Sequence, residues 1–224
     1  MKQHYLIHEQ HPRLLLFFAG WGADETPFRM YRPQGCDFLV CYDYRTLELD
    51  TTGWEHYREI HVVGWSMGVW AASLLLLQPR WTQSGRRIAI NGTPYPMDDC
   101  RGIPEAIFRG TLEGLTDASL HKFLRRMCAD STAFRRFLEV TPRRPLEELR
   151  EELSTILTTI EREGYPADLP AWDEAVVGGA DRIIPPANQL AAWQSLNVPV
   201  RTTEDAHYDY SLFEHYLNDL WTND

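Results

Sequence analysis

The sequence has no run near the roughly 20 consecutive apolar residues that a membrane-crossing helix needs. Its first apolar stretch, Leu14 to Ala19, is too short for a secretory h-region and no cleavage pattern follows it, so no signal peptide is expected. Cysteine is sparse. Cys36, Cys41, Cys100 and Cys128 show no Cys-x-x-Cys spacing, which argues against a zinc site and against a disulfide framework. Reduced, mostly buried thiols in a cytoplasmic protein are the expectation, with no metal and no bound cofactor. Excess positive charge is lacking too: a net charge of −10 argues against nucleic acid as the main partner. There is no internal repeat and no low-complexity segment. What remains is ordinary for a globular chain, with 44% apolar and 24% charged residues in 224. That length suits one domain with room for an insertion.

The chain is organised around Val62-Val63-Gly64-Trp65-Ser66-Met67-Gly68. Gly-x-Ser-x-Gly in a loop is a common accident. Here an apolar run (Ile60, Val62, Val63) precedes it and a helical one, Val69 to Leu77, follows. Strand, sharp turn and helix are the context in which the pattern means a nucleophile elbow. The turn forces Ser66 into a strained backbone, and side chains at Gly64 and Gly68 would crowd it. Ser66 then stands at the N-terminus of a helix, where free N–H groups favour developing negative charge.

Read in order, the chain alternates. A first strand is expected near Tyr5 to Ile7, and Arg13 to Phe18 reads as a buried parallel strand. It ends in Ala19-Gly20-Trp21-Gly22, a loop of the kind that supplies a second oxyanion donor. Trp21 and Met67 are therefore the expected oxyanion pair. Cys36 to Tyr42 is the next strand, residues 54–60 a short connecting helix, and Ile88 to Asn91 another strand. From Asp98 to Asp168 strand signals vanish. Shorter helices are expected around 119–139, and Leu146, Leu149, Leu153, Ile156, Leu157 and Ile160 mark one face of a long amphipathic helix. Strands resume at Glu174 to Gly179, followed by a helix (Asn188 to Leu196), a last strand (Val198 to Thr202) and a terminal helix (Ser211 to Trp221). The expected class is α/β: a mostly parallel, doubly wound sheet from residues 1–97 and 169–224, with 98–168 as an inserted helical cap.

A serine hydroxyl needs a base, and the base needs an acid to orient it. In this fold the order is Ser, then Asp or Glu, then His. Of the histidines after Ser66, His121 falls in the cap and His215 in the terminal helix; only His207 sits in a loop after the final strand. Asp181 leaves a strand end, whereas Asp173 precedes that strand and Asp205 and Asp209 crowd His207 in sequence. The expected set is Ser66, Asp181 and His207. Charge adds one more feature. Residues 101–150 hold 10 of the 22 basic side chains against 7 acidic ones, which leaves a balance of −13 elsewhere. Lys122, Arg125, Arg126, Arg135, Arg136, Arg143 and Arg144 are concentrated there, and a local docking face is the expectation.

Several segments together resemble one narrow group. They are Phe18-Ala19-Gly20-Trp21-Gly22, Cys41-Tyr42-Asp43-Tyr44, Gly64-Trp65-Ser66-Met67-Gly68-Val69-Trp70-Ala71-Ala72, Asn91-Gly92-Thr93, Gly102-Ile103-Pro104-Glu105-Ala106, Arg125-Arg126-Met127-Cys128, Gly179-Ala180-Asp181-Arg182-Ile183 and His207-Tyr208. The group is the short bacterial form of the pimeloyl-acyl-carrier-protein methyl ester esterases of biotin synthesis, which have the α/β-hydrolase fold. The resemblance runs nearly end to end. It implies a serine esterase with Ser66, Asp181 and His207 as triad and Trp21 and Met67 as oxyanion hole. Acyl carrier protein is the implied partner, bringing phosphopantetheine with the substrate, and Arg125, Arg126, Arg135 and Arg136 are candidates to meet it. A general short-chain carboxylesterase or acyl thioesterase is the alternative enzyme, and a non-catalytic binder with this fold the alternative of another class.

Overall fold

A computed structural model describes residues 1–77 and 85–221. Its seven strands are β1 (Lys2–Ile7), β2 (Arg13–Phe18), β3 (Cys36–Tyr42), β4 (Glu59–Trp65), β5 (Arg87–Ile90), β6 (Glu174–Gly178) and β7 (Val200–Thr203). They form one sheet in the spatial order β1-β3-β2-β4-β5-β6-β7, parallel throughout except for β1, which pairs antiparallel with β3 at the edge. Period-two alternation splits each central strand between two cores. Leu14, Leu16 and Phe18 of β2 join Ile60 and Val62 of β4 on one face, against α1 (Met67–Leu76) and α6 (Pro186–Ser195). Leu15 and Phe17 join Val63 and Trp65 on the other, against Phe28 and α7 (Tyr210–Leu217). Both faces are covered, as the uninterrupted apolar runs require. The chain has an α/β fold with a mostly parallel sheet.

Four helices lie between β5 and β6: α2 (Glu105–Glu113), α3 (Asp117–Met127), α4 (Ser131–Glu139) and α5 (Leu146–Glu163). Side chains start two of them. Thr116 accepts from the Ser119 amide, and Asp130 from the amides of Thr132 and Ala133, satisfying N–H groups a helix leaves bare. The apolar face expected of α5 is the buried one: Leu149, Leu153, Ile156 and Ile160 enter the same cluster as α1. No described helix is long and apolar enough to cross a membrane.

The structure revises the segment before the elbow. Residues 54–60, expected as a helix, form only a 3-10 turn, Trp54–His56, and the chain is already in β4 at Glu59. Gly53 turns the backbone left-handed (φ 81°), Tyr57 is extended, and the Arg58 amide donates to Pro12 O at 2.7 Å, so the segment is drawn alongside β2 at once. Strand β1 starts earlier than expected, at Lys2. Helix α1 ends at Leu76, with Leu77 exposed.

Charge also enters the interior. Arg144, with only 4% of its side chain exposed, lies 2.6 Å from Glu152 of α5 and 3.1 Å from Asp43 after β3. Glu152 is fully buried, accepts from the Tyr44 amide at 2.9 Å, and has its pKa pushed up by burial against the pull of Arg144. Burial would raise Asp43 as well, but hydrogen bonding from Arg45 and the charges of Arg144 and Arg45 outweigh it and bring that carboxyl down to about 2. Arg144 is thus a structural strut between α5 and the sheet. It is withdrawn from any surface that a partner could touch. Arg144→Ala should leave the buried Glu152 without its cation, while Asp43 keeps Arg45 at 2.7 Å, and cost about 3–5 kcal/mol of stability. Urea unfolding checks this: a loss under about 1 kcal/mol would mean that water replaces the guanidinium freely.

Candidate active site

The elbow forms at the C-terminal edge of the sheet, where β4 passes into α1. Ser66 has φ 56° and ψ −124°, a strained conformation for a residue with a side chain. The crowding expected at Gly68 is severe, since a Cβ there would sit 2.0 Å from Phe18 O and 2.7 Å from Ala19 O. The helix start can therefore press against the end of β2 and the loop carrying Trp21. At Gly64 the squeeze is milder, 3.0 Å to Val69 Cα.

The three expected residues meet although 141 positions separate the first from the last. Ser66 Oγ lies 3.0 Å from His207 Nε2, and His207 Nδ1 lies 2.8 Å from Asp181 Oδ2. Ser66, Asp181 and His207 are 8%, 5% and 1% exposed, so this chain of hydrogen bonds is shielded from bulk water. Asp181 Oδ1 accepts from the amides of Ile183 (2.7 Å) and Ile184 (3.1 Å), while Oδ2 accepts from Gln189 Nε2 at 2.8 Å. Four donors converge on one carboxylate and keep it aimed at the imidazole. With Nδ1–H donated to Asp181, Nε2 is left as the acceptor for the Ser66 hydroxyl.

The rejected candidates are engaged elsewhere. Asp173 accepts from the Arg87 amide at 2.7 Å, and Asp209 from the Ser211 amide at 2.9 Å at the start of α7. His121 packs edge-on against Phe134 and His215 against Tyr216.

Trp21 and Met67 both border the cavity beside Ser66. Met67 is the first residue of α1, so its N–H has no acceptor within the helix. The Trp21 N–H, in a turn, takes no partner among the described residues. The Trp21 indole donates to Leu149 O of α5 at 2.9 Å, and Tyr44 Oη donates to Ala19 O at 2.6 Å. The loop that presents the Trp21 amide is thus fixed from two sides.

Sequence reasoning missed three supporting residues. Asn91, fully buried with φ 45°, donates through Nδ2 to Ala206 O (2.9 Å) and His207 O (3.1 Å) and accepts from the Gly178 amide at 2.7 Å. One amide at the end of β5 thereby joins the turn carrying Asp181 to the loop carrying His207. Trp65 Nε1 also donates to His207 O, at 2.9 Å. Gln189 is the third, on α6. The available signal was a polar residue, Asn91, at the end of a strand otherwise buried and apolar.

Above these groups lies a cavity of roughly 390 Å³, within the ~300–1,000 Å³ usual for small-molecule sites. Its floor includes Ser66, Met67 and His207, and its walls come from α2 and α3. Of the basic residues singled out, Lys122 and Arg126 border it. Arg125 and Arg126 are exposed and in no ion pair among the described residues. Arg135 reaches Thr132 Oγ1 at 3.3 Å, and Arg136 lies 4.6 Å over the Tyr210 ring. An activated hydroxyl, a shielded imidazole and two amides beside an apolar cleft can attack a carbonyl and stabilise the resulting oxyanion.

Comparison with known proteins gives a family model, described as Pimeloyl-ACP methyl esterase BioG, that matches residues 1–218. A Malonyl-[acyl-carrier protein] O-methyltransferase of Bacteroides fragilis is 49% identical over 203 residues, covering 91% of this chain. The chain spans only 41% of that relative's length. The crystal structure of BioG from Haemophilus influenzae superimposes with a TM-score of 0.86 at 40% identity, covering 96% of this chain and 98% of the other. A hydrolase from Pseudomonas aeruginosa shares the fold at 13% identity, with a TM-score of 0.65 over 96% of this chain and 89% of its own.

Proposed function

This chain belongs to the BioG family, and we propose that it is a serine esterase that removes the methyl ester from a pimeloyl chain on acyl carrier protein. The observation that carries the reading is the buried Ser66–His207–Asp181 chain at the floor of an apolar cleft. Ser66 Oγ attacks the ester carbonyl as His207 Nε2 takes its proton, and Asp181 stabilises the imidazolium. The amides of Trp21 and Met67 receive the oxyanion, a contribution of about 3 kcal/mol per donor. The carbonyl re-forms, methanol leaves with the proton from His207, and water repeats the sequence on the acyl-enzyme. These steps call for no metal or redox cofactor; phosphopantetheine arrives with the substrate. The proposed setting is the cytoplasm.

The Bacteroides relative is named for the opposite operation, placing a methyl group on a carrier-bound acid, and this chain matches less than half of it. A hydroxyl activated by imidazole serves acyl chemistry, so hydrolysis is the reading favoured here. Purified protein should release methanol from the pimeloyl-carrier methyl ester. It should also rescue a biotin-requiring strain that lacks its own esterase, with Ser66→Ala as control. No methanol release would sink the reading, and failure of a reactive-serine probe to label Ser66 would favour a binder.

Residues 98–168 serve in this proposal as the cap that meets the carrier. Exposed Arg126 at the cleft, its exposed neighbour Arg125, and Arg135 and Arg136 on α4 offer paired donors to carboxylates and phosphate. Their positive charge offsets the −13 carried outside residues 101–150 and draws in an acidic carrier, an effect that fades as salt screens it over about 8–10 Å. In Arg125→Glu/Arg126→Glu, kcat/KM on the carrier-linked ester should fall about 10-fold or more at low salt and lose its salt dependence. Hydrolysis of a small soluble ester should persist. Arg135→Glu/Arg136→Glu should do less, because Arg136 is already stacked on Tyr210. Equal losses on both substrates would instead indicate a damaged cap.

A further inference from the structure

Helices α2 and α3 form much of the wall of the cleft above Ser66, which Leu153 of α5 and Ile183 also line. The α3 side presents Ser119, Lys122, Phe123 and Arg126, and the α2 side presents Ala106, Ile107, Gly110 and Thr111. Gly110 is out of place. An interior glycine weakens a helix relative to alanine, because the unfolded chain has more freedom to lose. Its φ lies outside the left-handed range, so the backbone does not require glycine there. Nor does packing require it, since a Cβ built at Gly110 meets no atom within 4 Å. Gly110 is exposed and borders the cleft, so a larger side chain there would stand at the cleft's rim.

We propose that Gly110 determines acyl-chain selectivity: its missing side chain keeps the α2–α3 gap open, so that a straight chain leaving the Ser66 carbonyl can run out between the helices. This rests on the acyl-ester reading above and specifies which part of the site reads chain length. A bulky residue at 110 narrows the passage that a long chain must use, whereas a two-carbon acyl group ends at the floor beside Ser66. Each methylene that cannot be accommodated in an apolar site costs roughly 10-fold or more in discrimination.

The test measures kcat/KM for p-nitrophenyl esters from acetate to octanoate in wild type, Gly110→Ala, Gly110→Leu and Gly110→Phe, with a melting temperature for each. Gly110→Ala should melt higher than wild type, because the helix gains propensity. Gly110→Phe should lower the octanoate-to-acetate ratio about 10-fold or more, with Gly110→Leu between. A ratio within about 2-fold of wild type in a folded Leu or Phe variant would overturn the proposal, as would an equal loss at every chain length. Dimethyl pimelate separates the two readings. If wild type cleaves the p-nitrophenyl series but frees no methanol from that diester, the methyl-ester reading falls and the Gly110 result still decides chain selectivity. If wild type cleaves no ester at all, both fall.

Discussion

Ser66→Ala should lower kcat for ester hydrolysis by about 10³-fold or more while leaving the protein folded, because the substitution removes one oxygen and fills its place with hydrogen. His207→Ala should fall into the same range. The hydroxyl is a poor nucleophile unless Nε2, 3.0 Å away, accepts its proton as the carbon–oxygen bond forms. Either deletion disables the same step. The double variant should therefore be little worse than the more damaged single one, a non-additivity expected of groups that act as a unit. The residual rate should come from the amides of Trp21 and Met67, which neither change touches. Steady-state and single-turnover kinetics on dimethyl pimelate provide the measurement. A Ser66→Ala variant within about 10-fold of wild type would remove the serine from the chemistry, and losses that simply multiply in the double variant would mean that the two residues act in separate steps.

The sheet was legible because its signals are local. Leu14 to Phe18 can only be a strand buried on both faces, and Gly64 to Gly68 between a strand and a helix can hardly be anything but a sharp turn. At the margins the local signal thinned. No residue of β1 is fully buried, so only its last part, near Tyr5 to Ile7, carried enough apolar character to be read. Residues 54–60 failed for a different reason: nothing in their composition announces that the Arg58 amide is captured by Pro12 O.

The site divides along the same line. Ser66, Asp181 and His207 could be named because chain order and strand ends constrain them. Asn91, Trp65 and Gln189 could not, since each acts by reaching a backbone or carboxylate that is distant in sequence or placed only by folding. Arg143 and Arg144 show the limit most sharply. As neighbours of identical type they are indistinguishable in sequence, yet one is exposed and the other is sealed between Asp43 and Glu152. Charge counting finds the patch, but only packing tells which guanidinium can leave it.

Asp181→Asn should lower kcat by about 10⁴-fold with little change in folding, and here the hydrogen-bond pattern gives the reason. The amides of Ile183 and Ile184 both donate to Oδ1, so the asparagine carbonyl will take that position. Its NH₂ then occupies the place of Oδ2, where it meets two more donors, Gln189 Nε2 at 2.8 Å and the Nδ1–H of His207 at 2.8 Å. His207 relieves its side of the conflict by moving its proton to Nε2, the wrong tautomer for accepting from Ser66. Flipping the amide instead would set NH₂ against two backbone donors, a worse arrangement. Asp205→Asn should matter far less, because that residue's part in the structure is played by its main-chain carbonyl, which accepts from the Ala180 amide at 3.1 Å. The loss in Asp181→Asn should ease as pH rises and hydroxide competes as base, while the dissociation constant for an unreactive substrate analogue should change little. Near wild-type turnover in Asp181→Asn, paired with a severe loss in Asp205→Asn, would transfer the role of acid to Asp205.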